Sequence, residues 1–338
     1  MSRPRANRQW RLAKRPQGRI SEANWSLQES AVPALADGEA LVQVLYLSCD
    51  PAMRGWIEDR ASYLPPVGIG EVMRAGGVGR VIESRMPTFA EGDLVEGMFG
   101  WQEYAVAKSG PLQTASRLAP GIEPRLALGV LGITGLTAYF GLLDLGVPQP
   151  GETVVVSGAA GATGSVAGQL ARLEGCRVIG IAGGPEKCAW LTGPARFDAA
   201  IDYKREEVGA RLRELASDGV DVFFDNVGGA ILESVLAQIR RKARIVLCGG
   251  ISGYNDAEPA PGPRTLMNLV IQRARMEGFL VLDYAARFAE GRAALKRWLD
   301  AGELAHEEDV LVGIESAPRA LLRLFEGRNR GKQLVQLA

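Results

Sequence analysis

Thr153-Val154-Val155-Val156-Ser157-Gly158-Ala159-Ala160-Gly161-Ala162-Thr163-Gly164-Ser165 is the stretch on which the fold turns. Its first five residues are an apolar run bounded by turn residues, the pattern of a strand covered on both faces. Helical periodicity follows at once over 165–174, through Val166, Leu170 and Leu173. Between strand and helix, Ala159, Gly161 and Gly164 stand at the three small-residue positions of a dinucleotide fingerprint. A small residue at Gly161 lets a pyrophosphate approach the backbone, and Gly164 lets helix pack on strand. The helix N-terminus, including Ala162 and Thr163, then offers amide donors and positive dipole to the anion. The bland alternative is an ordinary glycine-rich turn in a doubly wound fold of another kind.

Downstream the alternation persists. Strand patterns at 177–182, 199–203, 220–224 and 244–248 are separated by helical patterns at 186–191, 206–216 and 231–241. A last unit pairs a helix at 265–275 with a strand at 277–282. Strands alternating with helices of about ten residues predict βαβ units and a doubly wound parallel sheet, here over 126–304. Upstream the texture is different: short β segments at 41–47, 77–83 and 103–107, punctuated by Gly, Pro and Asp, predict a small curved antiparallel domain over 1–125. The tail after His306 shows no alternation, so 305–338 is expected to return to that first domain.

Composition bounds the function. The chain has 338 residues, 47% hydrophobic and 23% charged, which is ordinary globular usage and enough for a sizeable core. Thirty-nine basic residues balance thirty-nine acidic ones, which argues against nucleic acid as a partner. Cys49, Cys176, Cys188 and Cys248 show no metal-ligand spacing, and His306 is the only histidine. That excludes a His-rich zinc site and any triad or Cys-His dyad away from His306; the chain's length argues against a disulfide framework, so a reducing cytoplasm fits best. Two segments could mislead. Arg3, Arg5, Arg8, Arg11, Lys14, Arg15 and Arg19 precede any acid, but the run meets Pro16 and Gly18 and is not Ser-rich, so it reads poorly as a targeting peptide. Residues 126–143 are eighteen without a charge, yet Gly129, Gly132, Gly135 and Gly141 suit a buried, closely packed helix better than a membrane span.

The second strand ends in Ala182-Gly183-Gly184-Pro185-Glu186-Lys187. An acid at this point would bind the ribose hydroxyls of NAD; small residues instead leave room for a 2′-phosphate, whose charge Lys187 can meet. NADP(H) is therefore the expected cofactor. Lys187 has its own bland alternative, a solvated lysine on a helix face.

Motifs along nearly the whole chain resemble the zinc-independent medium-chain dehydrogenase/reductases, on the branch of alkenal double-bond, prostaglandin and curcumin reductases. They include Asn7-Arg8-Gln9-Trp10, Leu47-Ser48-Cys49-Asp50-Pro51, and Gly132-Ile133-Thr134-Gly135-Leu136-Thr137-Ala138-Tyr139-Phe140-Gly141. Phe224-Asp225-Asn226-Val227-Gly228-Gly229 and Cys248-Gly249-Gly250-Ile251-Ser252-Gly253-Tyr254-Asn255 are further matches, with Met276-Glu277-Gly278-Phe279 and Gly327-Arg328-Asn329-Arg330-Gly331-Lys332. The resemblance implies a Rossmann α/β domain beside a smaller GroES-like antiparallel β domain, and a homodimer. It implies that Gly161, Ala162, Thr163 and Gly164 hold the pyrophosphate, and that Lys187 and Tyr203 hold the 2′-phosphate. Asn226, Cys248, Gly249, Gly250, Ile251, Ser252, Gly253, Tyr254, Phe279, Leu280, Val281 and Asn329 would line the rest of the cofactor. Blandly, Phe279 and Val281 would be strand core, Asn226 a turn residue and Tyr203 a half-buried strand aromatic. Zinc-dependent relatives carry histidines near Cys49 and Gly70-Glu71; here Asp50 follows the cysteine, so no metal is expected. There is one departure: the family's Asp-Pro-Tyr-Met-Arg reads Asp50-Pro51-Ala52-Met53-Arg54. The tyrosine replaced by Ala52 would face the substrate, with Trp56 and Tyr63 as neighbours able to fill its place.

Without zinc or a base constellation, alcohol oxidation is poorly supported. Reduction of a carbon–carbon double bond conjugated to a carbonyl asks less: hydride reaches the β-carbon, and the resulting enolate needs a hydrogen-bond donor. A phenol, ordinarily near pKa 10, can serve, and Tyr254 is the candidate, just past a strand end where open α/β sheets bind ligands. A purely cofactor-binding Tyr254 is the alternative. The expected partner is a small α,β-unsaturated carbonyl compound, with no nucleic acid and no membrane. A quinone reductase would share fold and cofactor; a nucleotide-sensing or RNA-binding module would need a basic stripe with interleaved aromatics, and only the N-terminal arm with Trp10 approaches one.

Overall fold

The computed structural model of the protein describes residues 6–108, 115–258 and 261–338, so Arg3 and Arg5 lie outside the described residues. The chain divides into two compact units, one running to Leu128 and taking in Glu308–Ala338, the other Gly129–Glu307.

The first unit begins with an antiparallel ribbon, β1 (Ala6–Leu12) and β2 (Trp25–Ala31). Arg8 and Arg11 of the basic run are therefore built into a strand; beside them the Asn7 side chain is buried and bonds Tyr104 through both its donor, 2.8 Å, and its acceptor, 3.0 Å. Then come β3 (Glu39–Ser48), helical turn α1 (Met53–Trp56), β4 (Gly77–Ser84), β5 (Leu94–Gly97), β6 (Tyr104–Lys108), β7 (Ser116–Arg117) and α2 (Pro124–Leu128). Antiparallel pairing links β3, β4, β5 and β7, with β6 on β3. Their inner faces close on a core that includes Leu47, Met53, Ile57, Met73 and Trp101.

The second unit holds six parallel strands: β8 (Thr153–Ser157), β9 (Arg177–Ala182), β10 (Ala199–Asp202), β11 (Val220–Asp225), β12 (Ile239–Leu247) and β13 (Arg275–Gly278). Their spatial order is β10-β9-β8-β11-β12-β13, every neighbour parallel, which is the doubly wound arrangement with its switch point between β8 and β11. Val154, Val155 and Val156 are fully buried, each contributing roughly 1.5–3 kcal/mol by leaving water. The helices of this unit are α3 (Ile133–Phe140), α4 (Ala162–Leu173), α5 (Pro185–Thr192), α6 (Val208–Leu215), α7 (Gly229–Leu236), α8 (Met267–Gln272) and α9 (Phe288–Asp300).

Four expectations need correction. Residues 126–143 are not one helix: the chain breaks over 129–132 before α3 and ends in a wide turn at Gly141–Gly146. A Cβ at Gly135 would lie 1.8 Å from the Val130 carbonyl, so the glycine is there for the chain folding back on itself. The helix expected at 231–241 ends at Leu236, because Ile239 already pairs with Val220 as the start of β12. The helix expected at 265–275 runs only over Met267–Gln272, since Arg273 takes the left-handed conformation (φ 49°). Strand β13 consequently spans Arg275–Gly278, leaving Phe279, Leu280 and Val281 beyond its end; Val281–Arg287 is a tight helical turn. Finally, the tail does alternate: β14 (Glu308–Val312), α10 (Ala317–Phe325) and β15 (Lys332–Gln336) form a parallel βαβ unit. It joins the first unit's sheet by antiparallel pairing of β15 with β3, so that sheet is mixed, not purely antiparallel. Among the described residues no helix is long and apolar enough to cross a membrane.

Candidate cofactor and active site

The fingerprint loop leaves β8 at Gly158, whose φ of 58° suits glycine, and enters α4 through Gly161 as N-cap. Gly161 has no side chain to cap the helix, and the first turn carries no acid, so the early N–H groups keep their positive end for an anion. A Cβ at Gly164 would sit 2.5 Å from the Gly158 carbonyl oxygen and 2.9 Å from the Ala159 Cα, both backbone; at Gly161 the nearest atom would be 3.2 Å away. Gly164 thus serves close packing, whereas Gly161 keeps an approach to the backbone clear. These residues fit a dinucleotide pyrophosphate.

At the neighbouring strand ends, the Tyr203 ring lies over Gly183, where a Cβ would come within 2.8 Å of the ring and hydroxyl. Tyr203 is 44% exposed and follows β10 rather than belonging to it, its N–H donating to the Ala182 carbonyl at 3.1 Å. Burial of the phenol, and then the Asp202 charge, push its pKa up, so it remains a neutral donor. Lys187 is half-buried in the first turn of α5. Sequence reasoning missed Asp202, a buried carboxylate whose Oδ1 accepts from Gly184 N–H, 2.8 Å, and Lys204 N–H, 3.1 Å. It fixes the Gly183-Gly184 turn, in which Gly184 has φ 102°.

At the switch point the structure gathers Asn226 and the Cys248–Tyr254 loop around a second missed pair, Ser157 and Asp225. Asp225 ends a strand whose six residues are all buried. Its carboxylate accepts from Ser157 Oγ at 2.5 Å and from the N–H groups of Val227 and Gly228 at 3.0 and 3.1 Å. Burial drives its pKa upward against those bonds. The Asn226 amide donates to the Ser157 carbonyl at 2.7 Å, so that side chain helps hold the loop. Cys248 is pushed up to about 12, first by burial and then by Asp225, which leaves it an inert thiol. Gly249 to Gly253 form the turn, and the Tyr254 hydroxyl folds back to accept the Gly250 N–H at 3.1 Å. Beyond β13, the half-buried Phe279 ring covers Gly141, where a Cβ would meet it at 2.4 Å, and lies edge-on to Tyr284 at 6.5 Å; Leu280 is more exposed.

The remaining candidates belong to the first unit. Ala52 is the N-cap of α1. Trp56, in α1, donates its indole N–H to the Tyr63 hydroxyl at 2.9 Å, and the Arg74 guanidinium lies 5.9 Å from the Trp56 ring. Asn329 is buried and its amide donates to the Gly331 carbonyl at 2.9 Å. Asp50 accepts from the buried ammonium of Lys332 and from the Ser48 hydroxyl, so an ion pair occupies the position after Cys49. Among the described residues no three of His, Cys, Asp or Glu are grouped to hold a metal ion.

Residues 8–114 match the family described as the N-terminal domain of oxidoreductase, and residues 162–297 the family described as zinc-binding dehydrogenase. Over 337 residues the chain is 40% identical to an NADPH-dependent curcumin reductase of Escherichia coli, covering 98% of this chain and 97% of that one. It is 42% identical over 303 residues to a 2-alkenal reductase (NADP(+)-dependent) of Nicotiana tabacum, covering 89% and 88%. The chain is a zinc-independent medium-chain dehydrogenase/reductase. It belongs to the branch that includes those two reductases. A solved structure of CurA from Vibrio vulnificus in complex with NADPH superposes with a TM-score of 0.93 at 42% identity, over 98% of this chain and 99% of that one. This reductase is accordingly an NADP-dependent oxidoreductase.

Proposed function

We propose that the protein reduces the carbon–carbon double bond of α,β-unsaturated aldehydes and ketones. The cofactor supplies hydride to the β-carbon. Gly161, Ala162, Thr163 and Gly164 hold its pyrophosphate, and Lys187 with Tyr203 holds the 2′-phosphate. Asn226, the 248–254 loop, Phe279, Leu280 and Val281 bound the rest. The observation carrying this reading is the Tyr254 phenol at the carboxyl edge of the parallel sheet: its oxygen accepts the Gly250 N–H, which orients the ring, and a phenol can hydrogen-bond a developing enolate oxygen. Ala52, Trp56 and Tyr63 form the substrate wall, with Ala52 leaving room for bulky groups. The test is Tyr254→Phe, expected to lower kcat roughly 10²-fold, the lower range for one lost oxyanion donor, with NADPH affinity nearly unchanged. Weakened NADPH binding with intact kcat would instead make Tyr254 a cofactor residue. Quinone reduction is the competing reading, separated by steady-state rates on enones against quinones.

The same reading includes a cytoplasmic homodimer. Strand β13 is the edge of the six-stranded sheet, and Leu266, Met267, Val270 and Ile271, just before it in the chain, are 42–66% exposed, an apolar surface that a second copy would cover. All four cysteines are free, as a reducing compartment requires. A monomer in sedimentation at micromolar concentration would contradict the dimer.

A further inference from the structure

Ser157 and Asp225 are both fully buried, at the carboxyl ends of the two central strands on either side of the switch point. Neither reaches solvent, yet they and the two residues after Asp225 anchor the loops at that edge. Ser157 Oγ donates to Asp225 Oδ1 at 2.5 Å and accepts the Asn226 N–H at 2.8 Å. The Asp225 carbonyl accepts the N–H groups of Cys248 and Gly249 at 2.9 and 3.1 Å. The Asn226 carbonyl accepts from Ile251 at 3.3 Å, and the Val227 carbonyl from Ser252 N–H at 3.1 Å and Ser252 Oγ at 2.6 Å. On the other side, a Cβ at Gly158 would touch the Asn226 Cβ at 3.3 Å, so the fingerprint loop rests on the same segment.

A buried carboxylate is costly to desolvate, and an apolar pair of similar volume would stabilise the sheet at least as well. What the apolar pair could not do is fix the end of β8 and the turn after β11 in one register, because only a multi-acceptor group can hold Ser157, Val227 and Gly228 together; the Cys248–Tyr254 loop hangs in turn on the carbonyls of Asp225, Asn226 and Val227. We propose that Ser157 and Asp225 are positioning residues for the dinucleotide, their hydrogen bond coupling the Gly158–Gly164 loop to the Cys248–Tyr254 loop across the switch point. The two loops are thereby preset before the cofactor arrives, and the ordering cost of binding is reduced. This rests on the cofactor and on no particular substrate.

The test uses the full chain with Ser157→Ala, Asp225→Asn and the double variant, read by NADPH fluorescence titration and by amide hydrogen exchange without cofactor. Each single change should weaken NADPH binding roughly tenfold, with the double variant little worse than either, as one shared contact requires. In Ser157→Ala the amides of Gly249, Ile251 and Ser252 should exchange faster although Ser157 bonds none of them, while those of β9 stay protected. Asp225→Asn keeps the side-chain shape and serves if Ser157→Ala does not fold. Native NADPH affinity, additive losses, exchange accelerated uniformly through the sheet, or failure of both variants to fold would each overturn the proposal and leave the pair a stability contact.

Discussion

Alanine substitution of two glycines three residues apart should separate folding from cofactor binding. At Gly164 the new methyl would meet the Gly158 carbonyl oxygen at 2.5 Å and the Ala159 Cα at 2.9 Å, backbone atoms that cannot swing aside. Overpacking of this kind costs about 1–3 kcal/mol, and the better helix propensity of alanine returns about 1 kcal/mol. With both contacts on fixed backbone the upper half of that range applies, and the net loss of about 1–2 kcal/mol should lower the melting temperature of the Gly129–Glu307 unit by about 2–8 °C, at about 2–4 °C per kcal/mol for its size. At Gly161 the nearest atom is 3.2 Å away and φ is −86°, which alanine accepts, so the fold should change by less than about 1 kcal/mol. The methyl would instead stand where the pyrophosphate approaches, and NADPH affinity should fall at least tenfold, about 1.4 kcal/mol. Differential scanning calorimetry and fluorescence titration of both variants measure the two effects. A Gly161→Ala protein that binds NADPH normally, or a Gly164→Ala protein as stable as the parent, would refute the reasoning.

Lys187→Ala should erase most of an NADPH-over-NADH preference of at least tenfold, about 1.4 kcal/mol, as read by paired titrations; equal affinities in the unaltered protein would remove the basis for Lys187 and Tyr203 as the phosphate pair. Ala52→Tyr should shift kcat/KM from bulky aryl enones toward small alkenals, by roughly tenfold if 1–3 kcal/mol of pocket complementarity changes hands. A uniform loss on all substrates would mean that Trp56 and Tyr63 already fill that space.

The parallel sheet was legible because strands buried on both faces leave long apolar runs: the Arg177–Ala182 and Thr153–Ser157 patterns match β9 and β8 residue for residue. Helix ends were less legible. Nothing in local composition announces that Arg273 turns left-handed, or that Ile239 is claimed by Val220, since tertiary pairing decides both. The tail's βαβ unit escaped notice because the half-exposed β14 lacks the apolar run of a doubly covered strand. At the candidate site, the glycines and Lys187 could be proposed from sequence because their chemistry is local to a motif. Ser157, Asp202 and Asp225 could not, since their importance lies in partners up to 69 residues away. The one available signal was an acid at the carboxyl end of a mostly apolar strand, Ile201-Asp202 and Phe224-Asp225, which a strand holds in a buried last position only when donors await it.

The most direct test of the account follows the hydride. With NADPH deuterated at the transferable C4 position and an aryl enone, the protein should yield the saturated ketone with one deuterium, on the β-carbon, and an intact carbonyl. Deuterium on the former carbonyl carbon of an allylic alcohol, or NADPH oxidised by quinones but not by enones, would contradict double-bond reduction as its activity.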